Sequence, residues 1–178
     1  MSERTLLTAS EMSRTLERLA SEVVERRAEE APLVLVGIQR RGVDLARRLK
    51  TLLDERLPAP VIPGMLDINL YRDDWSSLGK TPAISSTEIP DVEGKTVILV
   101  DDVLFSGRTT RAALEAILDF GRPRRVELLV LVDRGHRELP IQADYVGKRV
   151  NTSSAERVDV LISERDGRDE VILRDQPA

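Results

Sequence analysis

Val97-Ile98-Leu99-Val100-Asp101-Asp102-Val103-Leu104-Phe105-Ser106-Gly107-Arg108-Thr109-Thr110 decides how the rest of the chain is read. Four apolar residues run into two adjacent acids, then into a short loop with hydroxyls and a glycine, then into a helix start. Such an apolar run predicts a strand buried on both faces, as in a parallel sheet. Open α/β sheets bind ligands at the carboxyl ends of their strands, and that is where Asp101 and Asp102 stand. Adjacent carboxylates repel and are costly to strip of water, so they need donors or a cation. The loop behind them offers backbone N–H groups and hydroxyls at a helix N-terminus, a setting that suits phosphate. A ligand with sugar hydroxyls, phosphate and a metal would satisfy every part.

Outward from this stretch, strands and helices alternate. Leu33 to Ile38 predicts a second buried strand, and Gln39-Arg40-Arg41-Gly42 a tight basic turn. Leu45, Ala46, Leu49, Leu52 and Leu53 give a helix stopped by Pro58 and Pro60. Thr8-Ala9-Ser10-Glu11 has capping-box spacing, and Met12, Leu16, Leu19 and Val23 follow at helical period. Met65 to Tyr71 alternates in part and predicts a strand. From Arg72 to Gly94 the chain is polar and irregular; so long a segment in a compact domain is usually functional. A helix is expected over 109–120, ended by Gly121 with Pro123 beyond. Val126 to Val132 predicts a strand, Asp133 to Arg137 a polar loop at its end. Tyr145 to Gly147, Val158 to Ile162 and Val171 to Leu173 predict short later strands. This order implies βαβ units, a mostly parallel sheet and a single domain over 1–178.

The 178 residues suffice for one sizeable core, built mainly from Leu, Val, Ile and Ala because aromatics are only 3%. Without cysteine there is no disulfide framework and no thiolate ligand or nucleophile. The net charge of -4 argues against a whole-surface nucleic-acid binder, though not against a local basic face. The basic residues are mostly Arg, the better partner for bidentate phosphate contacts. Genomic base composition or growth at high temperature leaves the same bias. Met1-Ser2-Glu3-Arg4 leads into no long apolar run, so a soluble cytoplasmic protein without a signal peptide is expected. Two other phosphate folds fit poorly. A receiver domain carries its acid pair near the start of the chain, and a P-loop ends in Gly-Lys-Ser/Thr, which Ser106-Gly107-Arg108-Thr109 lacks.

Val97 to Thr110 resembles the PRPP signature of type I phosphoribosyltransferases. Gly37 to Gly42, Asp67 to Asp74 and Val132 to Gly147 extend the likeness, and together they resemble the PyrR family. That family comprises bifunctional pyrimidine-operon attenuation regulators with uracil phosphoribosyltransferase activity. The resemblance covers nearly the whole chain, and is weakest at the two ends and over Ser76 to Glu88. It implies the α/β type I phosphoribosyltransferase fold: a mostly parallel central sheet flanked by helices, a mobile hairpin arm over about 71–94, and a small hood.

The resemblance also implies roles. Asp101 and Asp102 would hold the ribose hydroxyls of PRPP, directly or through a metal-bound network. Val103, Leu104, Phe105, Ser106, Gly107, Arg108, Thr109 and Thr110 would cradle the 5′-phosphate. Gln39-Arg40-Arg41-Gly42 maps to the pyrophosphate loop, with Arg40 and Arg41 as its cations, although relatives commonly have threonine where Arg40 stands. Arg72 would join the catalytic set from the arm, whose closure excludes water; Trp75 is expected to anchor the arm by packing. Asp133 and Arg134 would contact uracil, mostly through backbone groups, and the lone His136 is expected to be structural. Mg²⁺ would be held mainly through PRPP, with no direct protein ligand. The family also binds pyrimidine-operon leader RNA in a UMP-dependent way, which implies a basic face on a homodimer or larger homo-oligomer. Arg14, Arg18, Arg26, Arg137, Lys148 and Arg149 are its candidates. Glu17 and Glu22 interrupt the first helix's arginines, and Gln142 and Ala155 stand where relatives often carry cations. The alternative is therefore a phosphoribosyltransferase without RNA binding, for uracil or for another base such as hypoxanthine or orotate.

Overall fold

The structure, a computed structural model, describes residues 2–73 and 86–175. In chain order the elements are β1 (Glu3–Leu7), α1 (Ala9–Arg27), β2 (Val34–Ile38), α2 (Arg41–Asp54), β3 (Ile62–Leu66), β4 (Thr96–Leu104), α3 (Arg108–Leu118), β5 (Arg125–Asp133), β6 (Tyr145–Arg149), β7 (Glu156–Leu161), α4 (Ser163–Asp166) and β8 (Glu170–Asp175).

The apolar runs form a five-stranded parallel sheet in the order β3-β2-β4-β5-β6. Successive side chains on a strand point to opposite faces, so each run feeds two cores. Leu35, Ile98, Val100, Leu129 and Leu131 pack with α1 and α2 on one face. Val34, Val36, Val97, Leu99, Leu128 and Val130 pack with α3 on the other. Burying each such side chain contributes about 1.5–3 kcal/mol. α1 starts as its sequence predicts: Glu11 N–H donates to Thr8 Oγ1 (3.3 Å), and Thr8 N–H donates to Glu11 Oε2 (2.8 Å). Its buried face is Met12, Leu16, Leu19, Ala20 and Val23.

The two chain ends meet in a separate antiparallel sheet, ordered β1-β8-β7, which is the small hood. Leu6, Leu7, Val158, Val160, Val171 and Leu173 join the core on the α1–α2 side. Thus β7 and β8 are not part of the parallel sheet.

Other expectations need correcting. The strand expected over 65–71 lies at Ile62–Leu66, and Asn69–Tyr71 is a 3₁₀ turn. Pro63 and Gly64 disguise this strand, which tolerates them because it is a sheet edge. The strand expected over 97–100 continues to Leu104, and β1 is present although Glu3-Arg4-Thr5 leave it largely exposed. Of the arm expected over 71–94, residues 74–85 lie outside the described residues, and so does the expectation for Trp75. Its described base is fixed: Tyr71 Oη donates to Asp119 Oδ2 (2.5 Å), and Glu88 and Met65 exchange backbone hydrogen bonds.

Candidate active site

Asp101 and Asp102 lie in the second half of β4, whose pairing with β5 continues through Leu104 and Asp133. Asp101 is buried, at 8% exposure, and Asp102 is half-buried. Asp102 N–H donates to Asp101 Oδ1 (2.9 Å), and Val103 N–H donates to Asp102 Oδ1 (2.8 Å). Burial first, and then the neighbouring charge of Asp102, pushes the Asp101 carboxyl well above its ordinary value. A sugar hydroxyl or a cation at this place would relieve the cost of the second negative charge.

The phosphate loop follows directly. Gly107 has φ 92°, a left-handed conformation that favours glycine, and it caps α3. The first helical hydrogen bond runs from Arg111 N–H to Gly107 O (2.9 Å), so the N–H groups of residues 108–110 lie ahead of it. Arg108 N–H reaches Ser106 Oγ (3.3 Å). The Arg108 side chain turns outward, to Asp73 (2.6 Å) and Glu138 (2.7 Å). Thr109 is exposed at the cleft, Thr110 is buried, and Leu104 is a core residue that does not line it.

The basic turn faces this loop across the cleft. Gln39–Arg40 is a cis peptide, and α2 begins at Arg41. A Cβ on Gly42 would lie 2.4 Å from Val100 O, so glycine is what lets the turn press against β4 just before the acids. Arg41 Nη2 donates to Asp166 Oδ1 (2.9 Å), while Arg41 Nε is buried with no partner among the described residues. Gln39, Arg40, Arg41, Asp67, Ile68, Asn69, Arg72, Asp101, Asp102, Val103 and Thr109 line one cleft of about 390 Å³. The structure therefore brings both acids, both turn arginines and Arg72 together with Val103 and Thr109 of the loop stretch, while residues 104–108 and Thr110 do not line this cleft. Asp67 to Asn69 had no role assigned from the sequence, although they stand in a stretch that carries the family resemblance.

Asp133 and Arg134 are already engaged. Asp133 accepts from Gly135 N–H (3.0 Å) and Arg137 Nη2 (2.7 Å); burial pushes its carboxyl up, but these donors hold it below its ordinary value. Arg134 is buried, lies 4.0 Å over the Phe105 ring, and donates to Thr152 Oγ1 (3.3 Å) and Ser153 O (3.0 Å). Arg137 Nη1 donates to Phe105 O (2.8 Å), and the N–H groups of Glu138 and Leu139 donate to Ser106 O (2.9 and 3.2 Å). The 133–139 segment thus scaffolds the phosphate loop from behind. His136 packs its ring edge on Phe105, centroids 6.1 Å apart, with Nε2 2.5 Å from Thr152 O. A second cleft, of about 340 Å³, shares Arg41, Asp102 and Val103 with the first and is walled by Arg157 to Leu161 of β7 and by Arg174. No sequence motif marked this wall.

The basic candidates are scattered by comparison. Arg14 is exposed on α1. Arg18 pairs with Glu22 (2.5 Å) and donates to Gly147 O (2.5 Å); Arg26 donates to Asp144 O (3.0 Å). Lys148 Nζ donates to Leu6 O (2.8 Å). Arg137 and the exposed Arg149 line a broad groove of about 750 Å³ with His136, Pro140 and Gln142.

The fold and the cleft define a phosphoribosyltransferase, and the phosphoribosyl transferase domain family matches residues 3–161. Solved structures agree on the fold. A Trypanosoma cruzi hypoxanthine phosphoribosyl transferase superposes with TM-score 0.74 at 22% identity, covering 96% of this chain and 91% of that one. A Staphylococcus aureus hypoxanthine phosphoribosyltransferase does so with TM-score 0.69 at 22% identity, covering 98% and 93%. The bifunctional protein PyrR of Desulfosudis oleivorans is 54% identical over 176 residues, 97% of each chain. That of Thermus thermophilus is 53% identical over 169 residues, 94% of this chain and 93% of its own. The chain belongs to the PyrR family. Among the described residues no helix is long and apolar enough to cross a membrane.

Proposed function

We propose that this protein transfers the 5-phosphoribosyl group of PRPP to N1 of uracil, giving UMP and pyrophosphate, and that it binds pyrimidine-operon leader RNA in a UMP-dependent way. The observation that carries the enzyme reading is a single cleft lined by Asp101, Asp102, Arg41, Arg72 and Thr109, the last from the first turn of the helix that Gly107 caps. The loop's N–H groups and hydroxyls take the 5′-phosphate, and the two acids take the ribose hydroxyls. Arg41, with Arg40, faces the leaving diphosphate, and Arg72 approaches from the base of the arm. The C1–oxygen bond to diphosphate stretches before the base arrives, leaving oxocarbenium character at C1 and needing no covalent enzyme intermediate. The chain's contribution is positioning and charge stabilisation. Two carboxylates beside a diphosphate site suit Mg²⁺, which keeps several waters and is bound chiefly by substrate phosphates. When bound, the ion supplies charge neutralisation on the leaving group.

The base is best accommodated in the second cleft. Among the described residues β7 pairs with β8 on one side only, and its residues 157–161 wall that cleft. An edge strand offers alternating N–H and C=O groups, which match the alternating O4, N3–H and O2 of uracil. In this reading Asp133 and Arg134 serve the base site indirectly, by fixing the loop behind Phe105.

Uracil- and PRPP-dependent pyrophosphate release tests the enzyme, with orotate and hypoxanthine measured beside uracil; no uracil turnover defeats the reading. A gel shift with leader RNA, with and without UMP, tests the regulator. Micromolar or weaker, sequence-blind binding that ignores UMP leaves the phosphoribosyltransferase-only alternative. Light scattering on a sizing column tests the homodimer or larger assembly.

A further inference from the structure

The turn between β7 and β8 is clasped to one face of α2. Arg41, Asp44 and Arg48 stand at i, i+3 and i+7, so they share that face. Arg48 donates to Glu164 (2.9 Å) and to Asp169 (2.9 Å), and Arg165 pairs with the buried Asp44. These contacts suffice to hold the turn. The contact of Arg41 with Asp166 is different, because Arg41 lines both clefts.

Asp166 does not depend on Arg41 for its place. Its Oδ2 accepts Ile162 N–H (2.8 Å), while only Oδ1 meets the guanidinium. Both side chains keep contact with solvent, at 35% and 21% exposure, so their separation costs little. Burial pushes the Asp166 carboxyl up, but the Ile162 N–H and Arg41 hold it below its ordinary value, so it is an anion at neutral pH. Arg41, for its part, keeps a buried Nε donor without an acceptor among the described residues.

We propose that Asp166 is a resident counter-anion for Arg41: it occupies the guanidinium in the empty site, yields it to the diphosphate of the substrate, and takes it back as the diphosphate leaves. The inference rests on the reading that Arg41 receives the diphosphate. Its consequence is directional. The aspartate weakens diphosphate binding and favours release, whereas a merely structural clasp would strengthen binding by ordering Arg41.

Asp166→Asn keeps an acceptor for Ile162 N–H and removes the charge. Calorimetry with magnesium pyrophosphate should give a Kd about three- to tenfold lower than for the wild-type chain. Pyrophosphate should inhibit turnover of uracil and PRPP more strongly by the same factor. Glu164→Gln removes a like charge from the same turn but from Arg48's partner, and should change the Kd less than twofold. Unchanged or weaker binding in Asp166→Asn, or equal tightening in Glu164→Gln, overturns the proposal. A measurement that needs no variant to fold is the carboxyl carbon resonance of Asp166 in the wild-type chain. It should move on addition of pyrophosphate, and a fixed resonance at saturation overturns the exchange. A chain that turns over but whose pyrophosphate affinity ignores Asp166 defeats the counter-anion alone. A chain that neither binds pyrophosphate nor turns over defeats the reading beneath it as well.

Discussion

Asp101→Asn should stabilise the empty protein while impairing the enzyme. Asp101 is 8% exposed, and its protein partner in the site is the N–H of Asp102 (2.9 Å), itself followed by a second carboxylate. The amide oxygen of asparagine accepts the same bond without the charge. Two unit charges 4 Å apart at an effective dielectric constant near 20 interact by about 4 kcal/mol. Replacing poorly compensated buried charge by neutral groups commonly gains about 1–4 kcal/mol. For a chain of this size about 1 kcal/mol moves Tm by about 2–4 °C, so a rise of about 2–16 °C is expected at neutral pH. The sign of the pH dependence follows. The folded-state pKa of Asp101 lies above its ordinary 3.8, so above that pH the folded state retains a proton the unfolded chain has lost. Wild-type stability then falls by about 1.4 kcal/mol per pH unit until the folded pKa is passed. The gap between variant and wild type should be small at pH 4, widen with rising pH and level off. Thermal melts by circular dichroism from pH 4 to 8 read it directly. With Mg²⁺ and PRPP present the order should reverse in part, because ligand stabilises only the form it binds. A variant that melts lower than wild type at pH 8, or a gap that ignores pH, refutes the account of a carboxylate held at a cost for its ligand.

Asp102→Asn and Arg41→Ala should each lower turnover at least tenfold at saturating PRPP, with unchanged circular dichroism; a preorganised charge contact of this kind typically contributes two to three decades. Near-wild-type rates would remove the residue from the site. Gly42→Ala places a methyl 2.4 Å from Val100 O and should cost about 1–3 kcal/mol in urea unfolding, and an unshifted midpoint would contradict the close approach. Tyr145→Phe takes its hydroxyl (2.7 Å) from Glu127, a carboxylate only 4% exposed, and should destabilise by about 1–3 kcal/mol while leaving the KM for PRPP unchanged.

The PRPP side of the cleft was legible because its parts are consecutive residues of unusual type. An apolar run that stops at two acids is rare, and Gly107 stands where a left-handed turn precedes a helix. The base side was not legible, because its wall in β7 would act through backbone, and backbone leaves no residue signature. Nor could the partners of β7 be read: its neighbour β8 pairs in turn with β1, whose Thr5 meets Ile172 from the far end of the chain. The engagement of Asp133, Arg134 and Arg137 was illegible for another reason. A polar loop at a strand end reads as a row of free polar side chains, yet these side chains close on one another and on Phe105. Local satisfaction of this kind is a property of three-dimensional packing, and i-to-i+4 spacing within a loop does not announce it.

That same loop gives the two proposed activities a physical connection. Its near side holds the phosphate loop, through Arg137 on Phe105 O and through the Glu138 and Leu139 N–H groups on Ser106 O. Its far side lines the broad groove that carries Arg149. A nucleotide whose phosphate settles the 106–110 loop therefore acts on backbone that the groove also uses. Linkage requires the reverse: whatever binds the groove and prefers the settled loop must tighten UMP by the same factor. The arginines of α1 offer no such route. Arg18 and Arg26 are spent on carbonyls of β6 and of Asp144 just before it, as expected for the exposed edge of the sheet. To reach RNA phosphates they would give up those bonds whether or not UMP is bound. A UMP-dependent RNA contact is thus better sought at the loop and Arg149, with α1 supplying attraction that the nucleotide does not control.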